Sequence, residues 1–483
     1  MNKNRLAIIG AGVTGLGIAK VFTDKGWSVK IYDRESEVGG TWCKKYLYGG
    51  LKLHSKTGTY LYPDFPFHDQ NHDTKTERAS GLEVNEYIKH YTEDNNLLNL
   101  ITCDTNIDKI RYYSDSQEVQ LIANGQVMEE TFDFVIVTGH TTNLKMPNFE
   151  NQSAFKGTVI HSSLAREEIL ADAIKHNKKV VVVGGNKSAT DIAYYFAEQN
   201  YTNLLWLHRK VHWFMKEEKM KPCFDAVLFL VITLTLFRFG HRLPEGLCKW
   251  MCRLLAKRDI IINPKTGDST SFLDMFHSGI MDETLYHTLQ SVTDKQGEVV
   301  AFTENEAVLK SGEKIPCDMV ICATGYDSSL GFPAIEQVDA QGNNQDAGIY
   351  NAEQLYRGHI HVDYPRIGFA HKRSVFFGAP SVSTVTGSWL RKFFDRVNAT
   401  PQAQLRDELL KALDYEKNEY PKHRLIYGEP FKGAYVQENI WFWFLYMQRL
   451  YKKDLNLSRF YFLRFIAKVL AKKTETHSVH VGS

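Results

Sequence analysis

The stretch LAIIGAGVTG, residues 6–15, decides the fold. It runs from a short apolar segment into three glycines, and helix-forming sequence follows it. In a βαβ unit of this spacing the first glycine permits a tight turn, the second lets a pyrophosphate approach the backbone, and the third lets the helix pack closely on the strand. The next predicted strand, residues 28–32, ends in a carboxylate that can accept hydrogen bonds from a ribose diol, or alternatively cap the next turn. The residues predicted to bind this dinucleotide are Gly10, Gly12, Gly15 and Asp33.

A second stretch, VVVVGGNKSA at residues 180–189, has the same organisation of strand, glycine turn and helix. Asn186 stands at the place of the middle glycine and Ala189 at that of the third, so this loop is expected to hold a pyrophosphate less closely. The following predicted strand ends in His-Arg-Lys, without an acid. A guanidinium there pairs with a 2′-phosphate, which predicts NADPH rather than NADH; the alternative is a solvated basic turn. The residues predicted to bind NADPH are Gly184, Asn186, Ser188 and Arg209.

Two further segments repeat a buried strand that ends in Thr-Gly, DFVIVTG at residues 133–139 and DMVICATG at residues 318–325. Each is expected to close one nucleotide-binding fold, so the fold class is α/β with two Rossmann-like dinucleotide-binding domains and a C-terminal helical tail. Two dinucleotide sites imply electron transfer between cofactors, and with NADPH on the second fold the first is expected to bind FAD. The predicted domains are a discontinuous FAD domain of residues 1–165 and 322–400, an inserted NADPH domain of residues 166–321, and a helical region of residues 401–483.

The composition excludes several other classes of protein. The chain has 483 residues, with 58 Lys and Arg against 56 Asp and Glu, so it offers no overall basic field to a nucleic acid. Its 7 cysteines are scattered, without a CxxC pair or the Cys/His spacing of a zinc site. The sequence therefore predicts a cytoplasmic protein without a metal site. It also argues against a disulfide reductase, which needs a close pair of cysteines.

Three further motifs resemble those of a known family: EVGGTW at residues 37–42, FKGTVIH at residues 155–161 and CATGY at residues 322–326. With the two glycine loops, they resemble the flavin-containing monooxygenases over residues 5 to about 395. The resemblance implies that NADPH reduces FAD, that O₂ then adds to the flavin as a C4a-hydroperoxide, and that a substrate takes one oxygen atom. It also implies motif residues that contact the cofactors or orient the connection between the folds: Glu37, Gly40, Thr41, Trp42, His161, Thr324 and Gly325.

Two positions bear on the branch of this family and on the catalytic residue. Ala165 stands where the family fingerprint carries an aromatic residue or an acid. The string LKLH, residues 51–54, is similar to the plant members that form auxin by decarboxylating an indole keto acid. His54 is the candidate catalytic residue, because an imidazole near the flavin can donate a proton or titrate in the working range; a packed structural histidine is the alternative. Oxygenation at nitrogen or sulfur, Baeyer–Villiger oxidation and oxidative decarboxylation of a small lipophilic substrate all stay open.

Residues 440–473 predict peripheral contact with a membrane. They contain the run IWFWFLYM and, further on, a helix in which Arg464, Lys468 and Lys472 form one basic stripe on an apolar background. Such a helix lies in a bilayer interface with its basic residues at anionic head groups. Alternatively it packs on the enzyme or on a second copy of the chain, in a homodimer. Two other functions stay open: an NADPH oxidase or reductase without substrate oxygenation, and a membrane-tethered, non-catalytic flavin-binding protein.

Overall fold

The computed structural model describes most of the chain up to residue 419. The described residues are 4–53, 57, 60–63, 65–67, 78–138, 143–220, 228, 231–232, 244–265, 280–327, 333–346, 355–356, 359–370 and 379–419. The helices within these ranges are α1 (Val13–Thr23), α2 (Gly81–Asp94), α3 (Glu167–Lys175), α4 (Lys187–Glu198), α5 (Glu245–Lys257), α6 (Glu283–Ser291), α7 (Ala379–Ala399) and α8 (Gln402–Glu419).

The strands follow the same numbering along the chain. The first fourteen are β1 (Arg5–Ile9), β2 (Ser28–Tyr32), β3 (Ile101–Thr102), β4 (Ile107–Tyr113), β5 (Val119–Ala123), β6 (Gln126–Phe132), β7 (Phe134–Thr138), β8 (Asn143–Leu144), β9 (Thr158–His161), β10 (Val180–Val183), β11 (Leu204–His208), β12 (Phe214–Lys216), β13 (Ile261–Ile262) and β14 (Ile280–Met281). They continue with β15 (Asp294–Gln296), β16 (Val299–Phe302), β17 (Glu306–Leu309), β18 (Lys314–Pro316), β19 (Met319–Cys322), β20 (Tyr326–Asp327), β21 (Ala334–Val338), β22 (Asn344–Asp346), β23 (Leu355–Tyr356), β24 (Ile360–His361) and β25 (Ile367–Ala370).

The first sheet has seven strands in the order β23-β24-β25-β7-β1-β2-β3. The inner residues of β1 and all of β7 are buried, as is typical of parallel strands that helices cover on both faces. Strand β25 comes after the second fold in the chain, yet it pairs in parallel with β7. Helix α7 then packs against α1, where a Cβ at Gly387 would lie only 3.1 Å from Ile18 Cα. The chain therefore returns to complete the first fold.

The second sheet has five strands in the order β15-β11-β10-β19-β9, and every pairing in it is parallel. Strand β10 leads through its glycine loop into α4, and β11 follows that helix. An antiparallel meander, β16-β17-β18, connects β15 to β19. The five-stranded sheet β22-β21-β4-β5-β6, the three-stranded sheet β13-β12-β14 and the ribbon β8-β20 complete the described sheets.

The predicted fold class is confirmed, because two parallel sheets are each opened by a strand, a glycine loop and a helix. Buried apolar residues form separate clusters in the two folds, one against α1 and α7 and one against α4. The domain boundaries stay a prediction. The strands of the second sheet include β9, which precedes residue 166, and β19, which ends at Cys322.

Candidate cofactor-binding site

The first glycine loop has the close packing that its spacing predicts. Gly10 has a φ of +107°, a conformation that L side chains rarely adopt, and a Cβ there would collide with Thr138 Oγ1. A Cβ at Gly15 would collide with the carbonyl oxygen of Gly10. The loop can thus bring the start of α1 directly against the end of β1.

Gly12 faces the glycines of the EVGGTW motif. It forms a β-bridge with Gly39, and a Cβ at Gly12 would lie 3.4 Å from Gly40 Cα. No side chain caps the start of α1, and its first turn contains no acidic residue. Open backbone N–H groups at a helix N-terminus, in a cradle that is lined by glycine, fit the diphosphate of a dinucleotide. The residues present therefore fit FAD at this loop.

Asp33 lies directly beside this loop. Its side chain is only 7% exposed, and its two oxygens accept hydrogen bonds from Ala11 N at 2.5 Å and from Glu35 N at 2.8 Å. Burial raises the pKa of Asp33, while the two backbone hydrogen bonds oppose that shift. Asp33 Oδ1 caps the local turn through Glu35 N, as the alternative role of this residue predicts. Asp33 Oδ2 instead accepts the hydrogen bond from Ala11 in the glycine loop.

The EVGGTW residues divide into two groups by their contacts. Glu37 accepts hydrogen bonds from Lys44 N at 2.6 Å and from Lys89 Nζ at 2.8 Å, so it fastens the segment to α2. Trp42 donates from Nε1 to Tyr60 Oη at 2.9 Å. Gly40 has a φ of +61° and forms the cradle opposite α1. Of the motif residues, Gly39 and Gly40 therefore lie against Gly12 of the glycine loop.

Two residues at this site, Asn85 and Glu35, were not predicted from the sequence. Asn85 of α2 is fully buried beside the motif, whereas the predicted Thr41 is exposed. Asn85 Nδ2 donates to Trp42 O at 2.8 Å, and Asn85 Oδ1 has no hydrogen-bond partner among the described residues. A buried acceptor of this kind fits a hydroxyl or N–H donor of a bound cofactor. Glu35 is also buried and accepts a hydrogen bond from Tyr46 Oη at 2.7 Å.

The second glycine loop keeps the glycine of the tight turn, but Asn186 stands where a middle glycine would let a pyrophosphate approach the backbone. Gly184 has a φ of +144°, and a Cβ there would collide with Ala323 O. Asn186 has an extended backbone and caps α4, because its Oδ1 accepts a hydrogen bond from Lys187 N at 2.8 Å. A side chain thus already occupies one of the amides that a pyrophosphate would use. Gly185, which the sequence reasoning did not single out, packs against the backbone of Lys210.

The first turns of α4 also form the contact between the two folds. Lys187 makes a buried ion pair with Asp191, and Asp191 accepts a hydrogen bond from Tyr48 Oη of the first fold at 2.8 Å. The hydroxyl of Ser188 lies beside the same Tyr48 hydroxyl. Burial lowers the pKa of Lys187 and raises that of Asp191, because it disfavours the charged form of each group. The attraction between the two charges opposes both shifts. A Lys and an Asp four residues apart on a predicted helix were the signal that sequence reasoning passed over.

The basic residues His208 and Arg209, at the end of β11 and directly after it, lie in different environments. His208 is buried, and its Nε2 is 2.8 Å from Asp294 Oδ2, so it belongs to the sheet. Arg209 is exposed, with Nη1 3.6 Å from Glu298 Oε1. Only Arg209 of these two is placed to meet a ligand at the carboxyl edge of the second sheet, which is where βαβ units bind the adenosine ribose.

His161, Thr324 and Gly325 lie together where the chain crosses between the folds. His161 Nε2 donates to Gly325 O at 2.8 Å, so its Nδ1 is the acceptor for Ser163 N at 3.2 Å. Burial lowers the pKa of His161, which keeps the ring neutral. Thr324 Oγ1 donates to Lys145 O, next to the β8-β20 ribbon. The three residues therefore fix the crossing rather than present themselves to a reacting atom.

Two predicted features lie outside the described residues, namely His54 and the segment 440–473. Within the described ranges, no helix combines the length and the hydropathy that a membrane-spanning helix requires.

Two glycine-loop folds in one chain, joined by the crossing at His161, are typical of an oxidoreductase with two dinucleotide sites. The family model described as flavin-binding monooxygenase-like matches residues 3–428, and the chain belongs to that family. The predicted resemblance, the enzyme class of flavin-containing monooxygenase and the cofactors FAD and NADPH are confirmed at the level of the family.

The individual relatives have low sequence identity to this chain but match most of its length. The chain is 25% identical to a probable flavin-containing monooxygenase 1 of Arabidopsis thaliana, over 88% of this chain and 89% of that protein. It is 23% identical to a 4-hydroxybenzoate brominase (decarboxylating) of Marinomonas mediterranea, over 84% of this chain and 77% of that protein. Among solved structures, it is similar to a steroid monooxygenase with bound NADP, with a TM-score of 0.61, 17% identity and coverage of 85% of this chain and 90% of that one. These relatives differ in substrate, so the family does not fix the substrate of this chain.

Proposed function

We propose that this chain is an NADPH- and O₂-dependent monooxygenase that inserts one oxygen atom into a small lipophilic substrate. The overall reaction consumes NADPH, a proton, O₂ and the substrate, and it yields NADP⁺, water and the oxygenated product. The observation that supports it most is the uncapped, glycine-lined start of α1, where Gly12 packs against Gly40, in a chain with a second dinucleotide loop. When bound, reduced FAD supplies the activation of O₂.

The proposal assigns the flavin to the first fold. The amides at the start of α1 bind the diphosphate beside the contact of Gly12 with Gly40, and Asp33 accepts hydrogen bonds from the ribose. Asn85 Oδ1 offers the buried acceptor described above. Gly10 and Gly15 act indirectly, because their missing side chains set the position of the helix.

The proposal assigns NADPH to the second fold. Gly184 shapes the turn, Asn186 and Ser188 lie at the start of α4, and Arg209 pairs with the 2′-phosphate. His161, Thr324 and Gly325 hold the crossing that sets the relative position of the two folds. His54 is proposed as the catalytic group that donates or holds a proton near the flavin.

Isotope-labelled oxygen tests the reaction. The purified protein is expected to be yellow and, with ¹⁸O₂, to place one ¹⁸O atom in the product for each NADPH consumed. Candidate substrates are an amine, a sulfide, a ketone and an aryl keto acid, scored by product mass. Stoichiometric H₂O₂ without a labelled product would instead support the oxidase or reductase alternative. Bound FAD without any NADPH consumption would support the non-catalytic flavin-binding protein.

We further propose that this cytoplasmic enzyme contacts an anionic membrane surface through residues 440–473. A second observation favours such contact: α5 exposes Leu247 and Trp250, and the basic Arg253 and Lys257 are exposed on the same helix. Flotation with phosphatidylserine vesicles is expected to carry the full chain and to lose a chain without residues 457–483. Equal flotation of both would contradict a role of the tail, and a change of mass from dimer to monomer on truncation would assign it to a homodimer.

A further inference from the structure

A cavity of about 270 Å³ opens at the carboxyl edge of the second sheet, beside Arg209. Strand β15 runs parallel to β11 with Gln296 opposite His208, so the residues after both strands leave from the same edge. Gln296 Nε2 donates to Arg209 O at 3.0 Å, and Gly297 N donates to His208 O at 2.9 Å. Since the coenzyme ribose lies at the end of the second strand of a βαβ unit, the cavity is where a 2′-phosphate or 2′-hydroxyl would lie.

The cavity contains charges of both signs. Arg209 is 77% exposed and its nearest carboxylate is Glu298, which is 43% exposed, at 3.6 Å. Lys310 also lines the cavity, because its backbone N donates to Glu298 O at 2.8 Å and so brings the β17-β18 turn to this edge. Ser311 follows it on the same wall. An exposed ion pair at this separation contributes little to stability, so the guanidinium can turn toward a phosphate while Glu298 stays beside it.

We propose that Lys310 and Glu298 set the coenzyme selectivity of this chain in opposite directions. Lys310 joins Arg209 in binding the 2′-phosphate of NADPH. Glu298 repels that phosphate and accepts a hydrogen bond from the 2′-hydroxyl of NADH, so the chain binds both coenzymes and prefers NADPH less strongly than Arg209 and Lys310 would dictate without it. The inference rests on the proposed function, because it takes the coenzyme to be bound on the second fold.

The size of the effect follows from simple electrostatics. A phosphate and a carboxylate a few ångströms apart at an exposed site interact through water-like dielectric, and salt screens them over about 10 Å at 0.1 M. Removing the negative charge of Glu298 is therefore expected to change affinity by about three- to tenfold, and less at high salt. A role of Glu298 in folding would not depend on salt or on the 2′ substituent in this way.

The test measures binding of NADP⁺ and NAD⁺ to the FAD-loaded protein by calorimetry. Glu298→Gln is expected to tighten NADP⁺ by about three- to tenfold and not to tighten NAD⁺, and Lys310→Gln to weaken NADP⁺ by a similar factor. Both effects should shrink in 0.5 M NaCl. The matched control is Glu313→Gln on the same meander, whose carboxylate pairs with Lys295 Nζ at 2.6 Å; it is expected to leave both affinities unchanged.

Two results would overturn the proposal. If both coenzymes bind but neither variant changes the ratio of their affinities, Glu298 and Lys310 do not set selectivity, and the proposed monooxygenase is untouched. If neither coenzyme binds to the FAD-loaded wild-type protein, the coenzyme site of the proposed function fails as well. The two failures are thus distinguishable in one titration series.

Discussion

The two glycine loops of this chain share a topology but differ at the start of the helix. The first loop leaves the N-terminus of α1 uncapped, with Gly12 packed directly against Gly40. In the second loop Asn186 caps the amide of Lys187, and Lys187 itself is engaged with Asp191. The first arrangement suits a cofactor that stays bound, and the second suits a coenzyme that must leave after each turnover. The side chains of Asn186, Lys187 and Asp191, rather than the fold, make this difference.

The largest expected effect comes from filling the first loop. Gly15→Ala adds a methyl group that collides with the carbonyl oxygen of Gly10 and lies 3.2 Å from Thr138 Oγ1, so α1 must shift away from β1. Overpacking of this kind costs about 1–3 kcal/mol, and the shift also displaces the amides at the diphosphate position. We expect the affinity for FAD to fall about 100-fold, at about 1.4 kcal/mol per factor of ten, so that the protein purifies colourless.

The control for this substitution is Gly246→Ala in the first turn of α5. A Cβ at Gly246 would meet no atom within 4 Å, so the ratio of absorbance at 450 nm to that at 280 nm is expected to stay at the wild-type value. Circular dichroism checks that both variants are folded. Full FAD content in Gly15→Ala would show that the first loop is not the close-packed site that its spacing indicates.

The second prediction concerns the buried pair that the second loop has and the first lacks. The side chains of Lys187 and Asp191 are 20% and 6% exposed, so Lys187→Ala leaves a carboxylate buried without its partner. Breaking a buried pair in this way costs about 3–5 kcal/mol, measured as the free energy of unfolding in urea. Because burial raises the pKa of Asp191 above its ordinary value of 3.8, the variant gains protons on folding, and its stability should fall as pH rises above that value and through the raised pKa of the folded state.

Helix α1 supplies the matched control. Lys20 pairs with Asp24 at 2.5 Å at the same four-residue spacing, but these side chains are 30% and 54% exposed. Lys20→Ala is therefore expected to cost less than about 1 kcal/mol. The double variant Lys187→Ala, Asp191→Asn should recover much of the lost stability. Equal costs for Lys20→Ala and Lys187→Ala would remove the distinction between the two helices.

Much of this architecture could be predicted from the sequence because the glycine positions are backbone requirements. Gly10 and Gly184 both adopt positive φ, and the two Thr-Gly strands, β7 and β19, each lie beside the first strand of their fold. Such local rules do not depend on distant residues. They therefore fixed the fold class and the two-dinucleotide plan without knowledge of the tertiary contacts.

The side chains that complete the site depend on distant contacts and were not predictable. Asn85 reaches the EVGGTW segment from α2, and Tyr48 reaches Asp191 from the other fold. Nothing in the local sequence around Asn85 distinguishes it from a surface residue of an amphipathic helix. Glu37 was predicted to bind the cofactor, and its contacts with Lys89 and the backbone of Lys44 also depend on the fold.

The third prediction separates a ribose contact from a turn cap at the first loop. Asp33→Asn places an amide group among backbone donors and removes the charge that a ribose diol would use. Hydrogen bonds to charged groups contribute about 1.5–3 kcal/mol. Because the amide keeps one acceptor oxygen, we expect a loss of about 1.5–2 kcal/mol, which lowers FAD affinity about 10- to 30-fold by fluorescence titration. Asp339→Asn is the control, because Asp339 caps a turn through Gln341 N and Asn343 N; it should leave FAD affinity unchanged. Unchanged FAD affinity in Asp33→Asn would leave capping as its only role.

The smallest effect is expected from converting the second loop into the first. Asn186→Gly removes both the Cβ and the oxygen that occupies Lys187 N, at a capping cost of only a few tenths of a kcal/mol. One freed amide for the pyrophosphate should tighten NADPH and NADH alike, by about three- to fivefold, because a net hydrogen bond contributes about 1 kcal/mol. Equal gains separate this change from substitutions near Arg209, which act on the 2′-phosphate alone.

The control is Asn200→Gly, beyond the other end of α4. The φ of Asn200 is already +55°, so this substitution should change neither affinity. Weaker binding of both coenzymes to Asn186→Gly would mean that the asparagine itself holds the pyrophosphate, and the second loop would then be a distinct binding solution rather than a weakened copy of the first.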